Sequence, residues 1–369
     1  MQVHYTEPVT YFYGVSTVMT LSSQLKVIIT NCLLFGLVFS AQASADLKLI
    51  GSGASFPAPL YAKWFKDFSA VTKGVRVDYQ SKGSGAGIQD FINHTVDFAA
   101  SDAAMNDEEI AKVTDGVVLL PMTAGEVVLS YNLKGVDKLK LPRDVYPGIF
   151  TGKVTRWNDP SIVAANPGVK LPDEAITVVV RSDSSGTSYV FTGHLAAISE
   201  DFKNTVGQAK APNWPKSGKI VKAPKNDGVT ATIKQTPGAI GYIEYGYAKL
   251  TKAPTALLEN KSGNYVAPGS ESGAAALASA EFPAGDLPGS DVPDLRVWVT
   301  DPAGADAYPI ASFTWLLLYK DQDDAKAKAL REVVEYCLTT GQKSADAMGY
   351  IPLPENVVER VRKVAQMVQ

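Results

Sequence analysis

Seven short runs, Leu47 to Ile50, Val75 to Tyr79, Val96 to Ala99, Glu126 to Tyr131, Ile176 to Val180, Ile240 to Glu244 and Ser312 to Tyr319, are β-branched or almost continuously apolar, and helical patterns separate several of them. Runs of that kind read as strands buried on both faces. Between the first two, Leu60, Trp64, Phe68 and Val71 share one face of a helix. The alternation predicts an α/β fold around a largely parallel, doubly wound sheet. At 369 residues the chain exceeds what one core comfortably holds, so two lobes are expected.

The C-terminal part predicts two amphipathic helices. Leu330, Val333, Val334, Cys337 and Leu338 form one stripe, stopped by Gly341, and Val357, Val361, Val364 and Val368 form another after Pro354. Cys337 therefore reads as a small core hydrophobe. From about Ser262 to Asp294 the chain is rich in Gly, Pro, Ser and Ala and reads as a long surface excursion.

At the other end, Lys26 precedes the apolar stretch Val27 to Phe39, and Ala43-Ser44-Ala45 supplies the small residues a signal peptidase reads. Residues 1–45 are expected to be a cleaved signal peptide, with the mature chain starting at Asp46 in the periplasm. Thr30 and Asn31 interrupt a segment already shorter than the ~20 apolar residues a membrane span needs. The stretch before Met19 is long and nearly uncharged for a signal-peptide leader, which makes Met19 the expected initiator. Cleavage removes Cys32 and leaves Cys337 as the lone cysteine, so no internal disulfide is expected.

Apolar residues make up 46% of the chain and charged residues 20%, the balance of an ordinary globular protein. Cleavage takes one cation, Lys26, and one anion, Glu7, so the net charge of -3 is unchanged. No basic surplus supports nucleic-acid binding, and any anion site must be built locally.

Such a site is suggested by a recurrence. Three times a strand enters a small-residue, hydroxyl-bearing loop that opens a helix: Gly51-Ser52-Gly53-Ala54-Ser55-Phe56, Gly83-Ser84-Gly85-Ala86-Gly87 and Ser184-Ser185-Gly186-Thr187-Ser188. Each offers backbone N–H groups and a hydroxyl at the positive end of a helix dipole. Singly, each loop is ordinary helix capping. Together, in a two-lobed α/β chain, they can converge at the carboxyl ends of strands. Arg181 ends the strand before the third loop, and its planar fork suits two oxygens of a tetrahedral oxyanion; the plainer reading is a surface arginine paired with Asp183. Asp102 is the odd member. A carboxylate in an anion site accepts a hydrogen bond from an oxyanion that keeps a proton, such as hydrogen phosphate, and repels one that has none, such as sulfate. Its plainer reading is a helix cap.

Gly51 to Pro59 (GSGASFPAP), Val96 to Ala103 (VDFAASDA), Arg181 to Ser188 (RSDSSGTS) and Pro237 to Tyr245 (PGAIGYIEY) closely resemble the periplasmic phosphate-binding proteins of phosphate-specific ABC transporters, over nearly the whole mature chain and in the family's order. The resemblance implies a two-lobed Venus-flytrap fold whose hinge the chain crosses twice, with lobe one at residues 46–122 and 305–369 and lobe two at 123–304. It implies that Ser55 and the backbone of Phe56, then Ser84, Asp102, Arg181, Ser185, Gly186 and Thr187, bind inorganic phosphate, with Asp183 orienting Arg181. The family commonly has threonine where Ser55 stands. Also implied are delivery to the permease subunits of a phosphate ABC transporter, a monomeric state, and no cofactor, metal or catalytic residue.

Three other readings compete. A serine hydrolase or phosphatase needs a base, but the mature chain has only His94, in a polar segment, and His194, on what reads as a packed helix face, and no G-x-S-x-G elbow, P-loop or metal-ligand cluster. Another oxyanion or a larger phosphorylated compound would keep the binding role and change the ligand. An adhesion or signalling protein could use the same scaffold.

Overall fold

The longest apolar run organises the molecule. In the computed structural model, which describes residues 46–216 and 218–369 together with Thr10 and Gly14, β4 (Val117–Tyr131) is buried along its whole length. The expected signal peptide and the start at Met19 lie outside the described residues, save that Thr10 and Gly14 are exposed. Residues 46–369 form a compact unit of their own.

Before β4 come β1 (Leu47–Gly53), α1 (Ala58–Val71), β2 (Val75–Ser81), α2 (Ser84–Ile92), β3 (Phe98–Ser101) and α3 (Asp107–Ile110). After it come β5 (Lys140–Leu141), α4 (Tyr146–Thr151), α5 (Pro160–Ala165), β6 (Thr177–Arg181), α6 (Gly186–Ile198), α7 (Glu200–Thr205), β7 (Lys219–Ala223), α8 (Lys225–Gln235), β8 (Ala239–Glu244) and α9 (Tyr245–Thr251). The chain closes with β9 (Leu257–Glu259), β10 (Tyr265–Val266), α10 (Ser270–Leu277), β11 (Ala311–Tyr319), α11 (Asp324–Leu338) and α12 (Glu355–Ala365).

The main sheet runs in the order β2-β1-β3-β11-β4-β8-β6-β7, and β10-β9-β5 form a small second sheet. β4 changes partner part-way: Val117 to Glu126 pair with β11, and Val127 to Tyr131 pair with β8. Only Glu126 to Tyr131 read as strand in the sequence, because Pro121 breaks the apolar run. The ladder accommodates that proline at a register shift, where Thr314 faces Thr123 and Trp315 faces Pro121.

The sheet is mixed, where a largely parallel one was expected. Its two ends are parallel (β2 with β1, β1 with β3, β8 with β6, β6 with β7), but β11 runs antiparallel to β3 and β4, and β4 antiparallel to β8. Strands covered on both faces are continuously apolar whichever way they run, so their composition carries no direction.

The C-terminal helices follow the predicted stripes, with Leu330, Val333, Val334, Cys337 and Leu338 of α11 and Val357, Val361 and Val364 of α12 buried. The stretch expected as a surface excursion is partly structured and partly core. It holds β10 and α10, and Leu277, Leu287 and Val292 are buried. Just beyond it, the Trp315 Nε1 of β11 donates to Leu295 O, which pins the segment against the β11 side of the sheet.

Candidate functional site

Each candidate residue lies where a strand gives way to a loop, and four helices of nine or more residues (α1, α2, α6 and α8) start there. After β1 the backbone turns at Gly53, with φ +136°, and a Cβ on it would lie 2.1 Å from Ala100 O, so only glycine fits. Ser55 and Phe56 follow, just before α1. Gly83, with φ +98°, turns β2 into α2, whose first residue is Ser84. Asp102 follows β3. Arg181 ends β6, and Ser185 caps α6 by accepting from Ser188 N at 3.0 Å.

The loops meet. Ser55, Ser84, Asp102, Arg181, Ser185 and Thr187 are all buried, none more than 4% exposed. Arg181 makes a two-pronged pair with Asp183, Nε to Oδ1 at 2.9 Å and Nη2 to Oδ2 at 2.5 Å, and its Nη1 donates to Thr187 Oγ1 at 3.3 Å. Asp183 also accepts from Lys225 N at 2.9 Å. Burial alone would raise the Asp183 carboxyl, but the bonds from Arg181 and Lys225 hold it below the usual carboxylate range. The guanidinium is thus fixed in direction by a carboxylate that its own bonds favour in the ionised form.

Asp102 is placed differently. Its Oδ1 accepts from Thr314 Oγ1 at 2.9 Å and its backbone N donates to Ser84 Oγ at 3.3 Å. Burial pushes its carboxyl up to about 7, against the opposing pull of Thr314, Arg181, Ser84 and Thr187. Gly186 closes against this group: a Cβ there would lie 2.5 Å from Ser84 Oγ and 2.7 Å from Asp102 Oδ2. The two walls also join through Gly85 N, which donates to Ser184 O at 3.0 Å.

A residue that sequence reasoning missed ties the site together. Asn226, in the first turn of α8 and fully buried, donates from N and Nδ2 to Ser55 Oγ at 3.1 and 3.0 Å, and from Nδ2 to Thr187 Oγ1 at 3.0 Å. Its Oδ1 accepts from Glu244 N at 2.9 Å. The loop that carries it, Ala223-Pro224-Lys225-Asn226, lacks the Gly/Ser signature of the other three. Thr314, the partner of Asp102, was missed as well, since it lies inside an apolar strand. Ser185 bonds outside this group: its N donates to Lys210 O at 2.8 Å and its hydroxyl accepts from Ser188 N in the α6 cap. The Phe56 ring lies in the core, and its carbonyl accepts from Tyr350 Oη at 2.8 Å.

Among the described residues, neither His94 nor His194 meets these hydroxyls. His194 is buried against Tyr146 Oη, 2.7 Å from its Nε2, and burial lowers its titration to about 3, so it is neutral at any working pH. His94 faces Asp115 and stacks on Tyr319. Among the described residues no group of His, Cys, Asp or Glu is arranged to hold a metal ion.

The fold is that of a two-lobed binding scaffold, and the family model of the PBP superfamily domain matches residues 40–340. Among curated proteins, the chain is 37% identical over 325 residues to the phosphate-binding protein PstS of Xylella fastidiosa (strain Temecula1 / ATCC 700964), covering 87% of this chain and 86% of that one. It is 37% identical over 337 residues to PstS of Pasteurella multocida (strain Pm70), covering 90% and 94%. Among solved structures, the phosphate-binding protein of Stenotrophomonas maltophilia superposes with a TM-score of 0.67 at 22% identity, over 86% of this chain and 93% of that one. A high-affinity periplasmic phosphate-binding protein (PfluDING) bound with phosphate gives 0.67 at 21% identity, over 86% and 93%. The chain belongs to the PstS family of phosphate-binding proteins.

Proposed function

We propose that the protein, exported to the periplasm by cleavage after Ala45, captures one inorganic phosphate between its lobes as a monomer and hands it to the permease subunits of a phosphate ABC transporter. One observation carries the reading: a buried carboxyl, Asp102, lies within electrostatic reach of a fixed guanidinium, Arg181, among hydroxyls and helix N-termini drawn from distant parts of the chain. Ser55, the Phe56 amide, Ser84, Ser185, Gly186 and Thr187 donate to the phosphate oxygens, Arg181 supplies charge, and the ionised Asp102 accepts the proton that hydrogen phosphate retains. Asp183 holds Arg181 in place and Asn226 holds Ser55 and Thr187.

Lobe one is proposed to comprise residues 46–122 and 305–369, and lobe two residues 123–304. The change of partner along β4 and the return of the chain in β11 support two crossings between them. His94 and His194 pair with Asp115 and Tyr146 and with none of Ser55, Ser84 and Ser185, which supports binding without turnover, as in the family.

The test is calorimetry on mature protein stripped of co-purified phosphate. Wild type is expected to bind one phosphate, and Arg181→Ala to bind about 100- to 1000-fold more weakly, because the variant also strands Asp183 without its partner. Unchanged affinity in the variant overturns the site, and no binding by wild type overturns the ligand. Hydrolysis of a chromogenic phosphate ester by the same preparation would overturn the non-enzymatic role.

A further inference from the structure

We propose that Glu109 and Lys210, outside the site, form a latch between the lobes that sets how long the closed cleft keeps its ligand. The inference rests on the phosphate-binding reading. Glu109 lies on α3, the short helix that follows Asp102 on lobe one, and Lys210 lies on the connection between α7 and β7 on lobe two. Lys210 Nζ reaches Glu109 Oε1 at 2.5 Å, and the two side chains are only 23% and 15% exposed. Ion pairs in full solvent contribute little; one shielded on both sides is screened far less.

What distinguishes this pair is how each end is tied to a wall of the site. The other Glu109 oxygen accepts from Asn106 N at 3.0 Å, and Glu109 N donates to Asn106 Oδ1 at 2.8 Å, a reciprocal cap that fixes the carboxylate to the turn after Asp102. Arg296 braces the same turn by donating to Met105 O at 3.0 Å. On the other side, the Lys210 carbonyl accepts from Ser185 N at 2.8 Å, next to Gly186, the residue that closes on Ser84 and Asp102. The ion pair therefore completes a ring: Asp102, Asn106, Glu109, Lys210, Ser185, Gly186 and back to Asp102. Opening the cleft must break it. Neither side chain is among the proposed ligands, so its loss acts on closure and leaves the phosphate contacts intact.

Lys210→Met keeps the aliphatic stem and the carbonyl, and Glu109→Gln keeps an oxygen for the Asn106 cap. In stopped-flow measurements with inorganic phosphate on stripped protein, each variant is expected to release phosphate about three- to tenfold faster with little change in association rate, and the double variant no faster than the worse single one. Wild-type release rates in both singles, or effects that simply multiply in the double, overturn the latch. Hydrogen exchange on the phosphate-loaded, closed protein gives an independent reading: the Ser185 amide is expected to exchange faster in either variant than in wild type, and equal rates overturn the latch. Failure of the wild type to bind phosphate would overturn the phosphate-binding reading, and with it the latch as a control on release, whereas normal binding with unchanged variants overturns the latch alone.

Discussion

At the scale of single residues, the chemistry turns on two carboxyls in opposite states. Asp183, bonded by Arg181 and Lys225, stays ionised, whereas Asp102, with hydroxyl partners and no cation in direct contact, is pushed by burial from 3.8 to about 7. An ionised Asp102 facing sulfate would be a buried acceptor against a like charge with no proton between them, a penalty of ~1 to 3 kcal/mol or more. Asp102→Asn replaces that acceptor with an amide that can donate, and is expected to tighten sulfate binding by about tenfold or more while weakening phosphate, as competition calorimetry would register. The pH dependence follows from the direction of the shift. In the ligand-free closed protein Asp102 holds a proton over a range where the unfolded chain has released its own. Its stabilising effect is complete below about 3.8 and is lost as pH rises through about 7. Lowering the pH from about 7 to about 5 should therefore draw stripped protein toward the closed form more in wild type than in Asp102→Asn, read by small-angle scattering as a smaller radius of gyration; equal responses would show that Asp102 does not titrate there.

Among the elements, α6 does most to assemble the site, because its N-terminus, capped by Ser185, brings Thr187 against the guanidinium and Gly186 against the opposite wall. Gly186 is constrained by space, since no positive φ is required of it. A methyl at this position points at Ser84 Oγ and Asp102 Oδ2 from 2.5 and 2.7 Å, well inside contact distance. Gly186→Ala is accordingly expected to leave the unfolding temperature of stripped protein nearly unchanged and to weaken phosphate by roughly ten- to 100-fold, an obstruction of order 1 to 3 kcal/mol. A large loss of stability without phosphate would instead mean that the glycine serves the helix itself.

For the whole molecule, one continuous sheet runs through β4 and β11, and on the proposed division into lobes closure would bend a joint made of strands. Two buried carboxyls sit at that joint. Glu126, where β4 changes partner, accepts from Gly269 N at 2.8 Å and Ser272 Oγ at 2.9 Å, and burial raises it to about 8; Glu244, at the end of β8, is raised by burial as well. The bonds from Asn226 to Ser55 and from Gly85 to Ser184 are made in this structure, and opening of the proposed cleft would break them. Hinge closure is an established mode for binding proteins of this shape. Small-angle scattering is expected to give a smaller radius of gyration with saturating phosphate than for stripped protein, and identical profiles would mean that the ligand does not drive closure.

Local chemistry made much of this protein legible in its sequence. Glycine and hydroxyl residues at strand-to-helix junctions, an arginine at a strand end and apolar stripes at helical spacing all act within a few residues, so the three loops, Arg181, Asp102 and the buried face of α11 could be read without a structure. What the sequence could not supply are pairings across long stretches of chain. Asn226 meets Ser55 from 171 residues away, Thr314 meets Asp102 from 212, and Lys210 meets Glu109 from 101. None of these carries a local signal, because an asparagine, threonine or lysine reads the same in any solvated loop or apolar strand until a partner arrives. The antiparallel middle of the sheet was hidden for the same reason: strand direction is fixed by which chain ends the tertiary fold brings together, and an apolar run looks alike from either end.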